Sequence, residues 1–96
     1  MKTLARIRAK KRQIRSIARR YDIRDIRIFG SVARGMDTRR SDIDLLVKRD
    51  RVFTIPELCE AQEELGNLLG KRVQVVEEIE LSPYIRDRVL HEAVRL

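Results

Sequence analysis

The sequence has little of several residue types that are typical of other protein classes. Among 96 residues there is one cysteine, no tryptophan, two tyrosines and two phenylalanines. A single cysteine cannot form a disulfide within the chain, so nothing points to an oxidising compartment. The longest apolar runs, such as residues 45–47, are far shorter than the roughly 18 residues of a membrane helix, and the N-terminus lacks the apolar core of a signal peptide. The composition predicts a cytoplasmic protein with no membrane segment.

Acidic residues are missing from residues 1–20, which carry nine of the 22 lysines and arginines. The rest of the chain holds thirteen basic and fifteen acidic residues, so the net charge of +7 comes from the N-terminal segment and the body is slightly acidic. Clustered cations supply the sequence-independent part of nucleic-acid binding. One hypothesis is therefore nucleic-acid binding through residues 2–20. A solvated helix face and a docking surface for an acidic partner are the alternatives.

The length and the apolar pattern predict one small domain over residues 1–96, of the α/β (α+β) class, with a small sheet covered by helices. Caps and apolar stripes predict three longer helices, which begin at Thr3, Pro56 and Pro83 and run to Tyr21, Leu69 and Ala93. Alternating or apolar runs predict three strands, over residues 24–29, 43–47 and 72–79. A short helix is expected after the first strand, at residues 31–35. Because so short a chain buries a small core, we expect a partner or a second copy of the chain to help stabilise it.

The first chemical feature is the pair Gly30 and Ser31, which lies between the first strand and the short helix. Unpaired backbone N–H groups at a helix start, together with the serine hydroxyl, can hold a phosphate group, and Gly30 leaves space for its close approach. A glycine and a serine after a strand are common, so this pair alone is weak grounds for a phosphate site.

The second feature is the pair Asp42 and Asp44. Two residues apart on a strand, both side chains are expected on one face, with Ile43 and Leu45 on the other. Two adjacent carboxylates are costly unless a cation neutralises them, and Mg²⁺ typically takes one or two carboxylates plus substrate phosphates. Turn chemistry at Ser41 is the competing explanation for Asp42, but it does not account for Asp44 inside the strand. A phosphate cradle followed by this pair predicts a site for a magnesium nucleotide.

The whole segment resembles the signature of the minimal nucleotidyltransferases, small members of the DNA polymerase beta superfamily. The likeness consists of Gly30-Ser31, ten further residues and then Asp42-x-Asp44, with Arg34 and Gly35 between. It covers residues 10–96, including residues 81–86 and 92–94. It implies the nucleotidyltransferase fold, with a mixed sheet.

The resemblance also implies roles for individual residues. Gly30 and Ser31 would bind the triphosphate of ATP or another nucleoside triphosphate, and Arg34 is a candidate phosphate contact, with a solvated loop cation as its alternative. Asp42 and Asp44 would be the catalytic residues that bind Mg²⁺ at both the attacking hydroxyl and the leaving pyrophosphate. Relatives are often paired with a helical toxin ribonuclease containing a HEPN domain, which some neutralise by adding AMP.

One position departs from the family pattern, which usually has a third carboxylate on the later strand. Gln74 stands there in this chain, and its neutral amide is a poor base. The nearby acids Glu77, Glu78 and Glu80 are candidate substitutes, although solvated strand-end acids are the favoured interpretation. Transfer could therefore be slow or absent.

Three hypotheses follow. The first is a magnesium-dependent nucleotidyltransferase that moves a nucleoside monophosphate, AMP from ATP, to a hydroxyl of a macromolecule. The second is a catalytically weakened binding module that acts as an antitoxin by contact, which Gln74 favours. The third is a nucleic-acid-binding accessory protein that uses residues 2–20.

Overall fold

The computed structural model describes residues 2–96, and its strands form one four-stranded mixed sheet. The strands are β1 (Ile23–Phe29), β2 (Ile43–Arg49), β3 (Val73–Glu77) and β4 (Val94–Arg95). The helices are α1 (Thr3–Ala9), α2 (Lys11–Arg20), α3 (Gly30–Arg34), α4 (Ile55–Leu69) and α5 (Pro83–Glu92), and one turn of 3-10 helix spans Glu78–Glu80. The strand order is β3-β2-β1-β4; β1 is antiparallel to β2 and β4, and β2 is parallel to β3. The predicted fold class is confirmed.

Side chains on the central strands alternate between two covered faces. Ile28 and Leu45 belong to the main core with side chains of α1, α2 and α4, whereas Phe29 and Leu46 belong to a smaller cluster with side chains of α5. The alternation predicted at the end of the first strand is therefore confirmed. Because Asp44 adjoins Leu45 on β2, its side chain lies on the α5 face, which decides what surrounds the candidate site.

Helix α4 ends at Leu69, as its sequence predicts, and begins at Ile55, one residue before the predicted start. The Thr54 hydroxyl accepts the backbone N–H of Glu57 at 3.2 Å, and Glu57 Oε1 accepts the backbone N–H of Thr54 at 3.2 Å, which is a capping box. The helix ends before Gly70, which has a φ of 69°, and it joins the parallel strands β2 and β3. None of the helices in residues 2–96 is long and apolar enough to cross a membrane.

The N-terminal helix is not continuous, contrary to the prediction. Lys10, at φ −105° and ψ 20°, separates α1 from α2. Ile7 of α1 and Ile14 of α2 are both buried in the core, at 1% and 0% exposure. Thr3 does not cap the helix, since Lys2 stands at the N-cap; its hydroxyl instead donates to Asp37 Oδ2 at 2.5 Å.

The C-terminal part also differs from the prediction. Strand β3 ends at Glu77 rather than Ile79, because the chain turns into the 3-10 helix. Helix α5 ends at Glu92, one residue before the predicted end, and Val94 then pairs with Ile28 to form β4. Two residues are too short a run for period-2 alternation to mark a strand.

An ion-pair cluster joins the end of β2 to the start of α4. The Arg49 side chain is completely buried, lies 3.3 Å from Glu57 Oε2 and sits 3.7 Å from the centre of the Phe53 ring. Its Nε and Nη1 have no hydrogen-bond partner within residues 2–96. The hydrogen bond from Arg51, with those of the Thr54 cap, lowers the pKa of Glu57 to about 2. The ionised carboxylate of Glu57 is therefore the group that compensates a buried guanidinium.

This cluster predicts acid-sensitive stability. Since the folded-state pKa of Glu57 lies below its ordinary value of 4.5, its contribution is fully present above about pH 4.5 and is lost as the pH falls toward 2. We expect Glu57→Gln, which keeps an acceptor for the cap, to lower the melting temperature at pH 7. The variant should also lose less stability than the wild type between pH 5 and pH 2.5. Thermal melts at pH 7 measure the first effect, and urea titrations at pH 5 and pH 2.5 measure the second. Equal losses of stability in the two proteins between pH 5 and pH 2.5 would contradict the prediction.

Candidate functional site

The candidate site lies where β1 ends and β2 begins. Phe29 pairs with Asp44 across the antiparallel ladder, and Gln74 pairs with Asp44 across the parallel one. Gly30 follows Phe29 directly and starts α3. The topology thus brings Gly30, Asp44 and Gln74, which are far apart in sequence, to neighbouring positions on adjacent strands.

Gly30 is required by a contact within the chain. Its φ is 74°, a conformation that other residues rarely adopt. A Cβ at Gly30 would overlap the Asp44 side chain, chiefly Oδ2. The space beside Gly30, which was expected to admit a phosphate, is therefore occupied by the Asp44 carboxylate.

Two glycines with the same backbone conformation allow a matched test of this contact. Gly35 has a φ of 71°, but a Cβ there would meet no heavy atom within 4 Å. Alanine at either position should cost roughly 1 to 2 kcal/mol of backbone strain. We expect only Gly30→Ala to displace the Asp44 carboxylate, weakening magnesium–ATP binding at least about tenfold by isothermal titration calorimetry. Equal affinities of Gly30→Ala and Gly35→Ala would refute the idea.

The two aspartates differ in environment. Burial, and after it the neighbouring charge of Asp42, raises the pKa of Asp44; Arg34 opposes the shift and Glu92 adds to it. Asp42 precedes β2 instead of lying within it, and its Oδ2 is 3.9 Å from Nε of the exposed Arg72. The expected charge coupling is present, although Asp42 is a loop residue. An ionised Asp44 is thus held in surroundings that disfavour its charge, and a cation would relieve this.

The available oxygen ligands limit how a metal ion could be held. Among residues 2–96, no group of three or more histidine, cysteine, aspartate or glutamate side chains could form a metal site. Asp42 and Asp44 supply carboxylate oxygens, the donor type that Mg²⁺ prefers, and Mg²⁺ commonly completes its shell with water and substrate phosphates. The pair therefore fits a magnesium ion that arrives with a nucleotide rather than one held by protein alone.

The third-carboxylate position contains only Gln74. Its side chain is exposed beside Asp44, while Val73 and Val75 are buried on the other face. None of the three candidate substitutes is paired with Asp44 across the sheet, as Gln74 is. Glu77 is buried and accepts the Phe53 N–H at 3.1 Å, so its interpretation as a solvated acid was wrong. Glu78 forms ion pairs with Lys48 at 3.5 Å and with Arg86 at 3.8 Å. Glu80 is exposed in the 3-10 helix.

The loop between α3 and β2, which carries Asp42, is tied down on two sides. The hydrogen bond from Thr3, supported by the charge of Lys71, lowers the pKa of Asp37, and Lys71 Nζ donates to the Thr38 carbonyl at 2.9 Å. The Thr38 N–H donates to Ser41 Oγ at 2.8 Å. Turn chemistry therefore accounts for Ser41, and the same turn fixes the approach to Asp42.

The site contains one residue that the sequence analysis did not assign a role. Glu92, the last residue of α5, accepts the Gly30 N–H through Oε2 at 2.8 Å, and Arg34 Nη1 donates to Oε1 at 3.0 Å. Burial opposes ionisation of Glu92, but the bond from Gly30 and the bond and charge of Arg34 outweigh it and lower its pKa. A helix C-terminus disfavours a negative charge. An acid at that position was the available signal that Glu92 has a specific partner.

Three of the nine N-terminal cations line a groove away from this site. A groove of about 590 Å³ between α2, β1 and β4 has five basic side chains around an apolar floor, namely Lys11, Arg15, Arg19, Arg24 and Arg95. Asp25 is its one acidic lining residue. The groove contains neither the aspartate pair nor Gly30, so any polyanion bound there would not occupy the candidate nucleotide site.

The chain is similar in sequence to a known family and to several known proteins. The family model described as "Polymerase beta, Nucleotidyltransferase" matches residues 12–96. The "Putative protein adenylyltransferase MJ0435" of Methanocaldococcus jannaschii is 37% identical over 84 residues, covering 88% of this chain and 90% of the relative. The "Protein adenylyltransferase MntA" of Thermococcus cleftensis is 36% identical over 86 residues, covering 90% and 84%.

Solved structures show the same architecture. A structure described as "putative minimal nucleotidyltransferase" superposes with a TM-score of 0.82 at 38% identity, covering all of this chain and 97% of that one. A tri-AMPylated Shewanella oneidensis HEPN toxin in complex with an MNT antitoxin matches with a TM-score of 0.70 at 19% identity, covering 92% of this chain and 69% of that one. The second likeness supports the fold alone.

Proposed function

The chain belongs to the polymerase beta nucleotidyltransferase family, and on this premise we propose that it transfers AMP from magnesium–ATP to a hydroxyl group of a partner protein. The observation that carries the proposal is the seating of the Asp44 carboxylate against Gly30, with Asp42 close enough to raise its pKa. Burying the Asp44 charge next to Asp42 costs free energy in the isolated protein. A cation that binds to both carboxylates together with the nucleotide would offset this cost.

The reaction joins the acceptor oxygen to the α-phosphorus while the bond from that phosphorus to the β-bridging oxygen breaks and pyrophosphate leaves. Ser31 and Arg34 are the donors we assign to the phosphates, because both lie on α3, the short helix that begins at Gly30. A bound Mg²⁺ would stabilise charge on the attacking and leaving oxygens. The acceptor proton must go to water or to a carboxylate, since the neutral amide of Gln74 is not a base for it.

We propose a HEPN-type helical toxin as the acceptor. Two relatives are named protein adenylyltransferases, and a structural neighbour is an MNT antitoxin bound to an AMPylated HEPN toxin. Asp42 and Arg34 are partly exposed at the same end of the sheet, so an acceptor could reach the nucleotide there. The single cysteine agrees with a reducing, cytoplasmic location for the pair.

The test is transfer of label from α-³²P-ATP to the protein encoded by the adjacent gene. We expect labelling of that protein with Mg²⁺ and none with EDTA. A tyrosine-to-phenylalanine or serine-to-alanine series in the partner then locates the acceptor hydroxyl. Absence of label, together with no magnesium-dependent ATP binding by this chain, would reject the proposal.

A second candidate function is neutralisation of the partner by contact alone, and Gln74 is the observation that favours it. A site with two carboxylates and no third could bind nucleotide yet transfer slowly. Wild-type protein that inhibits the partner without ATP, and equally well as Asp44→Asn, would favour this candidate.

A further inference from the structure

Glu92 links the two ends of α3, the short helix whose side chains we assign to the nucleotide phosphates. Gly30 and Arg34 are the first and last residues of α3, and one carboxylate from α5 binds both of them. The Glu92 side chain is 17% exposed, whereas that of Arg34 is 49% exposed. The contact is thus partly shielded on the side of Glu92, while much of the guanidinium faces solvent.

The contact leaves Arg34 able to bind a second anion. A guanidinium has five N–H donors, and the bonds to Glu92 use only Nη1, at 3.0 and 3.2 Å. Arginine is among the side chains that lose most rotamer freedom when they are fixed, and this loss costs free energy. Because Glu92 already restrains Arg34 in the folded protein, part of that cost is met before any nucleotide binds.

We propose that Glu92 is a positioning residue: it anchors the start of α3 through the Gly30 N–H and holds Arg34 ready for the nucleotide phosphates. This inference rests on the proposed function, because it presupposes that Arg34 contacts a phosphate. The opposite arrangement is that the carboxylate stands in the phosphate position and must leave before ATP binds. The two arrangements predict effects of opposite sign on affinity, so one titration separates them.

The experiment measures magnesium–ATP dissociation constants of the full chain by isothermal titration calorimetry. Glu92→Ala removes both contacts and should weaken binding about tenfold. Glu92→Gln keeps an acceptor for the Gly30 N–H but loses the charge that holds Arg34, and about threefold weakening is expected. This milder variant keeps the test informative if Glu92→Ala is unfolded. Asp87→Asn, an exposed site on the same helix, controls for the change in net charge and should bind as the wild type does.

A double-mutant cycle with Arg34→Ala tests whether Glu92 acts through the arginine. We expect Glu92→Gln to have less than a twofold effect on affinity in the Arg34→Ala background. A merely structural role would give the same threefold effect in both backgrounds, which would overturn the proposal. Tighter ATP binding by Glu92→Gln would overturn it in favour of competition with phosphate. If the wild type itself does not bind magnesium–ATP, the proposed function fails and the inference fails with it, a result distinct from the other two.

Discussion

Asp44→Asn should reduce AMP transfer to the partner by at least about 10³-fold in kcat/KM, which corresponds to about 4 kcal/mol of transition-state stabilisation. The asparagine has almost the same shape, so the contact with Gly30 can persist while the charge is lost. Metal-ion stabilisation of transferring phosphates contributes several kcal/mol, and it depends on the carboxylate charge. The rate of labelling from α-³²P-ATP in the presence of Mg²⁺ measures the effect.

The stability of the same variant separates loss of chemistry from loss of fold. The pKa of Asp44 is raised in the folded state, chiefly by burial, so its ionised form at pH 7 disfavours folding. Asp44→Asn should therefore leave the melting temperature unchanged or raise it in the absence of nucleotide. Stability sacrificed at a functional position is a common pattern.

Asp50→Asn provides a matched control, because Asp50 is an exposed acid paired with Arg24 at 3.0 Å. It carries the same chemical change far from Gly30, and it should retain full transfer. Unchanged labelling by Asp44→Asn would show that transfer does not depend on this carboxylate, and it would reject the proposed site. A lower melting temperature for Asp44→Asn would instead mean that its carboxylate stabilises the fold.

Local patterns in the sequence were sufficient for much of the fold. Alternation within residues 24–29 predicted β1, and Pro56 and Gly70 predicted the limits of α4 to within one residue. These signals reside in the backbone preferences of a few adjacent residues. The break at Lys10 was missed because no proline or glycine marks it in the sequence. The strand Val94–Arg95 was missed because it exists only through its pairing with β1.

The candidate site was likewise predicted only in part from local sequence patterns. A short motif of glycine, serine and two aspartates brought Gly30 and Asp44 into one hypothesis, and the sheet register does place them side by side. The role of Glu92 could not be derived in that way, since it lies 62 residues from Gly30 and its contact is set by how α5 packs across the sheet. The register also placed Gln74 beside Asp44, which makes its missing charge testable.

Gln74→Asp should raise AMP transfer about a hundredfold if the site is otherwise intact. The new carboxylate would stand next to Asp44 across the parallel pair, where it could accept the acceptor proton or bind a cation. General-base catalysis typically contributes 10² to 10⁴ in rate. The added acid should also lower the melting temperature without Mg²⁺, because it brings a further negative charge to Asp42 and Asp44. Labelling rates and thermal melts measure both effects.

Gln74→Asn is the matched control, because it shortens the side chain as aspartate does but adds no charge. We expect it to transfer no faster than the wild type, so a gain seen only in Gln74→Asp is assigned to the carboxylate. If Gln74→Asp brings no gain while the wild type still binds its partner tightly, contact rather than transfer is the activity of this chain. If the gain appears, Asp42, Asp44 and Gly30 already form a working site, and the glutamine is what slows its chemistry.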